Sequence, residues 1–192
     1  PLVYDYTGFV QAQQEMELKA QVTGQITGKF FKGGDTVVAG QKLYTIDQRT
    51  YQANLLNAQA GLANARAALA NAALNAERYT KLYQNDAVSK QVLDNALTQR
   101  DQALAAVNAQ EAMLENARIS MTDTTVTAPF TGRIDTSALE VGNFVTAGQT
   151  TLTQISMTDP VYVQFTMSEP EYLKLSASKD NNGGAALDNL TA

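Results

Sequence analysis

The sequence predicts an α+β protein in which one small β-sandwich is written as two separated halves, split by a long antiparallel helical hairpin. Three observations carry this. Residues 20–42, AQVTGQITGKFFKGGDTVVAGQK, and residues 128–149, APFTGRIDTSALEVGNFVTAGQ, repeat one pattern at a displacement of 108 positions. Residues 50–121, between them, have helical texture, with no proline and Gly61 as their only glycine. Outside that segment, short alternating apolar and polar runs between glycines read as strands.

The repeat aligns Ala20 with Ala128, Ile26 with Ile134, Val37 with Val145, and Ala39-Gly40-Gln41 with Ala147-Gly148-Gln149. Gly24 falls on Gly132 and Gly34 on Gly142. These four glycines are the candidate structural turns, where backbone freedom is needed. A half of ~28 residues is too short to bury a core alone, so the halves are expected to pair. The expected sandwich comprises residues 20–47 and 125–155.

The middle segment, residues 48–124, carries a heptad. Its first half has a row of Leu55, Leu62, Leu69, Ala76 and Tyr83, and a second row of Ala58, Ala65, Ala72 and Tyr79. In its second half the rows are Leu93, Arg100, Val107, Leu114, Met121 and Ala96, Ala103, Gln110, Ala117. Alanine recurring along a row predicts two closely packed helices. The intervening YQNDAVSKQ places the hairpin tip near 84–89. There Asn85 suits a left-handed helix end, Ser89 an N-cap, and Val88 with Leu93 a hydrophobic staple. Asp47 is the expected N-cap of the first helix. At ~1.5 Å per residue such a rod reaches on the order of 50 Å and must project from the sandwich.

Residues 1–19 and 156–192 form the third expected unit, a partial second β module. VYVQFTM alternates and suits a half-buried strand partnered by the segment around Tyr4–Leu18. Ser168-Glu169-Pro170-Glu171 reads as a capping box opening a short helix.

Composition removes whole classes of function. The 192 residues contain no cysteine and no histidine, which excludes thiol nucleophiles, disulfides, imidazole catalysis and the usual zinc sites. A net charge of −5 without a basic run gives no attraction for nucleic acid. Asp47, Asp135 and Glu140 are scattered carboxylates with no paired base, so no enzyme is indicated. No apolar run reaches the length that spans a bilayer. The chain opens in mid-pattern, and an export signal and membrane anchor are expected outside it.

The half-motifs, the hairpin between them and the run ISMTDPVYVQFTMSE together resemble the periplasmic adaptor subunits of tripartite efflux pumps. These are the HlyD-like membrane fusion proteins, and the pattern looks most like that of the adaptors of resistance-nodulation-division (RND) transporters. The resemblance covers roughly Gly8 to Leu175. It implies a lipoyl-like β-sandwich split by the hairpin, then a partial β-barrel domain. It also implies a periplasmic location, no cofactor, and assembly as a homo-oligomer, a hexamer in the pump. The implied partners are an inner-membrane RND transporter and a TolC-like outer-membrane exit duct.

In the duct-binding adaptors the tip carries Arg, three residues, Leu, six residues, Ser. RYTKLYQNDAVS supplies Arg78, Leu82 and Ser89 at that spacing. Arg78 offers a rigid donor fork, Leu82 an apolar contact and Ser89 a small hydrogen-bonding cap. Their plain readings are a solvated residue, a core residue and a cap. Adaptors of ABC-type exporters share the tip motif, and other secretion or metal-efflux adaptors share the fold; the short hairpin and ISMTDPVYVQF favour the RND class. A lipoyl or biotinyl carrier domain would present a lysine at the turn between its halves. That turn is replaced by the hairpin, and Lys29, Lys32 and Lys42 lie elsewhere. From Thr50 to Ala76 the only charge is Arg66, which suits packing beside a neighbouring copy as well as it suits an ordinary exposed helix.

Overall fold

The structure, a computed structural model, describes residues 8–165 and Pro170. In chain order the elements are β1 (Gly8–Ala12), β2 (Glu15–Lys19), β3 (Gly24–Lys29), β4 (Thr36–Val37) and β5 (Lys42–Ile46). The helices α1 (Arg49–Gln84) and α2 (Lys90–Thr122) follow, then β6 (Thr125–Thr127), β7 (Gly132–Ile134), β8 (Phe144–Val145), β9 (Thr151–Ser156) and β10 (Val161–Phe165).

The two halves of the repeat interleave. One four-stranded antiparallel sheet runs β2-β9-β7-β4 and the other β6-β5-β3-β8. The pairings β4 with β7, β3 with β8, and β5 with β6 all join one half to the other. Equivalent residues supply the core from both sides: Ala20 and Ala128, Ile26 and Ile134, and Val37 and Val145 are all buried. Leu43, Tyr44 and Ile46 of β5 and Leu152 and Ile155 of β9 complete it. Neither half contains enough of these residues to exclude water from its own sheet, which is why the halves fold together.

Gly34 and Gly142 lie at equivalent turns with φ of +88° and +101°, a region where an L side chain is strained. Gly24 and Gly132 correct the sequence expectation of turns. They are the first residues of β3 and β7, and their reason is close approach. A Cβ on Gly24 would stand 2.7 Å from Ile46 Cγ2, and one on Gly132 only 2.5 Å from the Ser156 carbonyl oxygen.

The hairpin follows the heptad rows. Leu62, Ala76, Ala96 and Val107 are buried, and the row position nearest the tip, Tyr83, is 39 % exposed. One polar row member of the second helix, Gln110, is accommodated in the seam, whereas Arg100 turns to its neighbour Asp101 at 2.7 Å. Gly61 leaves room for Gln110, whose Oε1 would lie 2.7 Å from any Cβ there. Arg66 and Glu111 pair across the helices at 2.8 Å.

The hairpin base is tied into the sandwich. Gln48 Nε2 donates to Thr124 Oγ1 at 2.9 Å, and Tyr51 donates its hydroxyl to the Thr23 carbonyl at 2.8 Å. Gln48, rather than Asp47, is the N-cap of α1, and its side chain makes no capping bond. Asp47 acts from one position earlier: its Oδ1 accepts from the Arg49 N–H at 3.1 Å.

The ends depart from expectation in one respect. The sequence pattern groups residues 1–19 with the second module, but β2 pairs with β9 inside the sandwich sheet. Only β1 pairs with β10, in a separate two-stranded ladder. The strand expected around Tyr4–Leu18 is divided at Gln13-Gln14, where the Gln14 carbonyl accepts from Met157 N–H at 2.8 Å. Val161 and Val163 are 42 % and 45 % exposed, because no third layer covers this ladder among the described residues. The helix expected from Ser168 and the strand start at Tyr4 lie outside the described residues.

Candidate partner-binding site at the hairpin tip

The chain reverses between α1 and α2 in five residues. Asp86 takes the left-handed conformation, φ 54°, one position after the Asn85 that the sequence favours for it. Ala87 N–H donates to the Leu82 carbonyl at 2.9 Å and Asp86 N–H to the Tyr83 carbonyl at 3.0 Å. This is the Schellman closure, in which the residue after the cap must be left-handed. Aspartate accepts that backbone more readily than most side chains do. Asn85 itself sits at φ −98° and caps the helix.

The return starts at Ser89, extended at φ −74° and ψ 155°, whose Oγ accepts from Val92 N–H at 3.4 Å. Its cap role is thus seen directly. Val88 before it and Leu93 after it are both half-buried.

Arg78 and Leu82 are four residues apart on α1, so they share a face one turn apart. Arg78 is exposed, and Leu82 is half-buried between the seam and the surface. Among the described residues Arg78 forms no ion pair. Its neighbour Glu77 is occupied by Lys81 at 2.6 Å. The hydrogen bond from Lys81, then its charge, holds the Glu77 carboxyl below its usual value. The guanidinium is therefore left with its donors directed to solvent at the end of the rod.

Two residues that sequence reasoning does not single out join this surface. Tyr83 is 39 % and Val92 37 % exposed, so the tip also presents large apolar groups to solvent. The available signal is positional: Tyr83 is the last member of its row, one residue from the end of α1.

No other place among the described residues gathers chemistry. No group of three or more acidic, histidine or cysteine side chains lies close enough to hold a metal. A groove of about 710 Å³ beside the hairpin base is lined by Gln25, Asp47, Tyr51 and Phe144, among others. Its one carboxylate is already bound by Arg49, at 2.6 Å. Hydrogen bonds from the Arg49 side chain and backbone hold the Asp47 carboxyl down to about 2.

Residues 14–156 match the family model described as RND MFP, barrel-sandwich hybrid domain. The chain belongs to the RND membrane fusion protein family. It is 40 % identical over 192 residues to the multidrug efflux pump subunit AcrA of Escherichia coli K12, covering 96 % of this chain and 48 % of that protein. It is 41 % identical over 175 residues to the membrane fusion protein MtrC of Neisseria gonorrhoeae, covering 91 % and 42 %. The crystal structure of a MacA–MexA chimeric protein, containing the Pseudomonas aeruginosa MexA α-hairpin domain, is similar at a TM-score of 0.64 and 30 % identity, covering 88 % of this chain and 55 % of that one. The chain thus spans about half the length of the curated relatives it matches. The family match decides the RND class over the ABC-type alternative that the sequence left open.

Proposed function

We propose that this chain is the adaptor portion of an RND-type tripartite multidrug efflux pump, in the periplasm and anchored at the inner membrane. It links an RND transporter to a TolC-like exit duct and does recognition work rather than catalysis. Residues 20–47 and 125–155, with β2 joining their sheet, form the lipoyl-like unit, residues 48–124 the hairpin, and the chain ends beyond them contribute to a β-barrel. The β1–β10 ladder supports that last assignment, since two strands with both faces open need further strands to be stable. Copies of the chain assemble as a hexamer around the pump axis.

The observation that carries the reading is the tip. Arg78, exposed and without an ion pair among the described residues, shares a face of α1 with Leu82, and Ser89 opens α2 across the reversal, at the far end of a rod whose base is fixed in the sandwich. A guanidinium so placed can donate bidentate hydrogen bonds to carbonyls or carboxylates of a partner arriving end-on. Tyr83 and Val92 add apolar contact. The experiment is Arg78→Asp in the full-length protein made at normal levels. At so exposed a site folding is expected to change little. Docking loses roughly 2–5 kcal/mol, as for one partner of a buried charged contact. Drug efflux and tip-to-duct crosslinking are expected to disappear together. Wild-type efflux and crosslinking in that variant would refute the role of Arg78.

A further inference from the structure

The repeat breaks its symmetry at one place. Residues 28–32 of the first half continue β3 and its turn, with Lys29 paired to Tyr44 and Phe30 N–H bonded to the Leu43 carbonyl. Their counterparts at a displacement of 108, Thr136–Glu140, form no strand. The residues Thr136–Leu139 make no backbone–backbone hydrogen bond to either sheet. Carbonyls in such a segment still need donors when water is kept out.

One side chain supplies them. Lys29 Nζ donates to the Ser137 carbonyl at 3.4 Å, to the Leu139 carbonyl at 3.1 Å and to Glu140 Oε1 at 2.7 Å. An ammonium has three donors, and all three are used on this segment. The lysine side chain is only 14 % exposed, with its ammonium 5.5 Å from the Phe31 ring centre. Most of the remaining ties are also made through side chains: Ser137 Oγ donates to the Leu152 carbonyl at 2.5 Å, Thr153 Oγ1 to the Asp135 carbonyl at 3.2 Å, and Asn143 Oδ1 accepts from Glu140 N–H at 2.7 Å, while Asn143 N–H donates to the Glu140 carbonyl at 3.1 Å. Below the segment Phe31 and Tyr44 meet edge to face at 5.1 Å. The Tyr44 hydroxyl is enclosed there without a hydrogen-bond partner. Burial pushes the Tyr44 phenol up from its ordinary value.

From this geometry we propose that Thr136–Glu140 is a lid on one corner of the sandwich, latched by Lys29. It opens as a unit over the Phe31–Tyr44 pair while both four-stranded sheets stay paired. The reason is the kind of bond on each side. The sheets are held by backbone ladders and a shared core, whereas the lid is held mainly through the side chains of Lys29, Ser137 and Asn143, with Lys29 making three of the contacts. Segments held in this way open at a lower free energy than the global transition.

The test is amide hydrogen exchange on the whole chain, comparing Lys29→Met and Glu140→Gln with the parent. Lys29→Met keeps the apolar stem and removes every donor. The Leu139 and Glu140 N–H groups are held by Ser137 Oγ and Asn143 Oδ1, and their exchange is expected to speed up roughly 10- to 100-fold once the segment loses its part-buried hydrogen bonds to a charged group. Amides of β5 and β9 should keep their protection. Glu140→Gln leaves both carbonyl bonds in place and should change Leu139 exchange much less. Unchanged exchange in Lys29→Met would overturn the latch. Loss of protection throughout β5 and β9 in the same variant would overturn the lid as a separate unit.

Discussion

Gly34 N–H donates to the Ile134 carbonyl at 2.9 Å, and 108 positions along, Gly142 N–H donates to the Ile26 carbonyl at the same 2.9 Å. Each half of the repeat thus closes its turn on the other half. Gly40 with Ala128 and Gly148 with Ala20 do likewise, both at 2.8 Å. A pair of bonds exchanged across an approximate twofold makes the two halves one cooperative unit. The hairpin between them is then an insertion whose ends the sandwich holds together.

Gly34→Val should lower the melting temperature markedly. At φ +88° a β-branched side chain is strained by about 1–3 kcal/mol, and the bond to Ile134 is at risk. Asn64→Ser, on the exposed face of α1, should leave the melting temperature nearly unchanged. Thermal unfolding followed by circular dichroism checks both; equal small shifts would remove the turn role.

Gly61→Leu should destabilise the hairpin, because its side chain must enter the space of Gln110. Overpacking of this kind costs about 1–3 kcal/mol. The paired change Gly61→Ala with Gln110→Ala should instead stabilise by roughly 0.5–1 kcal/mol, since alanine replaces glycine inside a helix. Urea titration of the two variants separates the outcomes by sign.

Ser89 can be tested as a cap apart from its proposed docking role. Ser89→Ala should cost about 1 kcal/mol through loss of the bond from Val92 N–H. Ser89→Asp keeps a capping oxygen and should retain stability, yet it places an anion at the tip. If the hydroxyl contacts the duct, efflux falls in Ser89→Asp at unchanged melting temperature; if Ser89 is a cap alone, efflux is retained.

The Asp47–Arg49 pair predicts a direction with pH. The carboxyl is held down to about 2 in the folded protein, so its contribution is fully present above the ordinary value of 3.8. That contribution is lost as pH falls from there through about 2. Arg49→Gln should raise the Asp47 value, read by carboxyl carbon NMR, and should weaken the acid dependence of unfolding in that window. Because the Arg49 side chain is 89 % exposed, the difference should shrink in high salt.

What the sequence by itself determined follows from periodicity. Leu55, Leu62 and Leu69 recur every seven residues in α1, and the seam follows from that recurrence even at Gln110, where Gly61 makes room. Ser89 caps because an extended residue with a short oxygen before a helix has that option available locally. The repeat at 108 likewise implied a joint core, because neither half could exclude water alone. Only the tertiary structure decided matters that depend on neighbours distant in the chain. Gly24 and Gly132 are required by Ile46 and by the Ser156 carbonyl, which no local pattern brings near. β2 joins the sandwich because β9 offers it an edge, while β1, similar in texture, pairs with β10. Asp86 rather than Asn85 turns left-handed because the Schellman bonds back to Leu82 and Tyr83 set which residue follows the cap. Lys29, indistinguishable in the sequence from a solvated surface lysine, is enclosed because a segment 108 positions away lacks a strand partner and takes its ammonium instead.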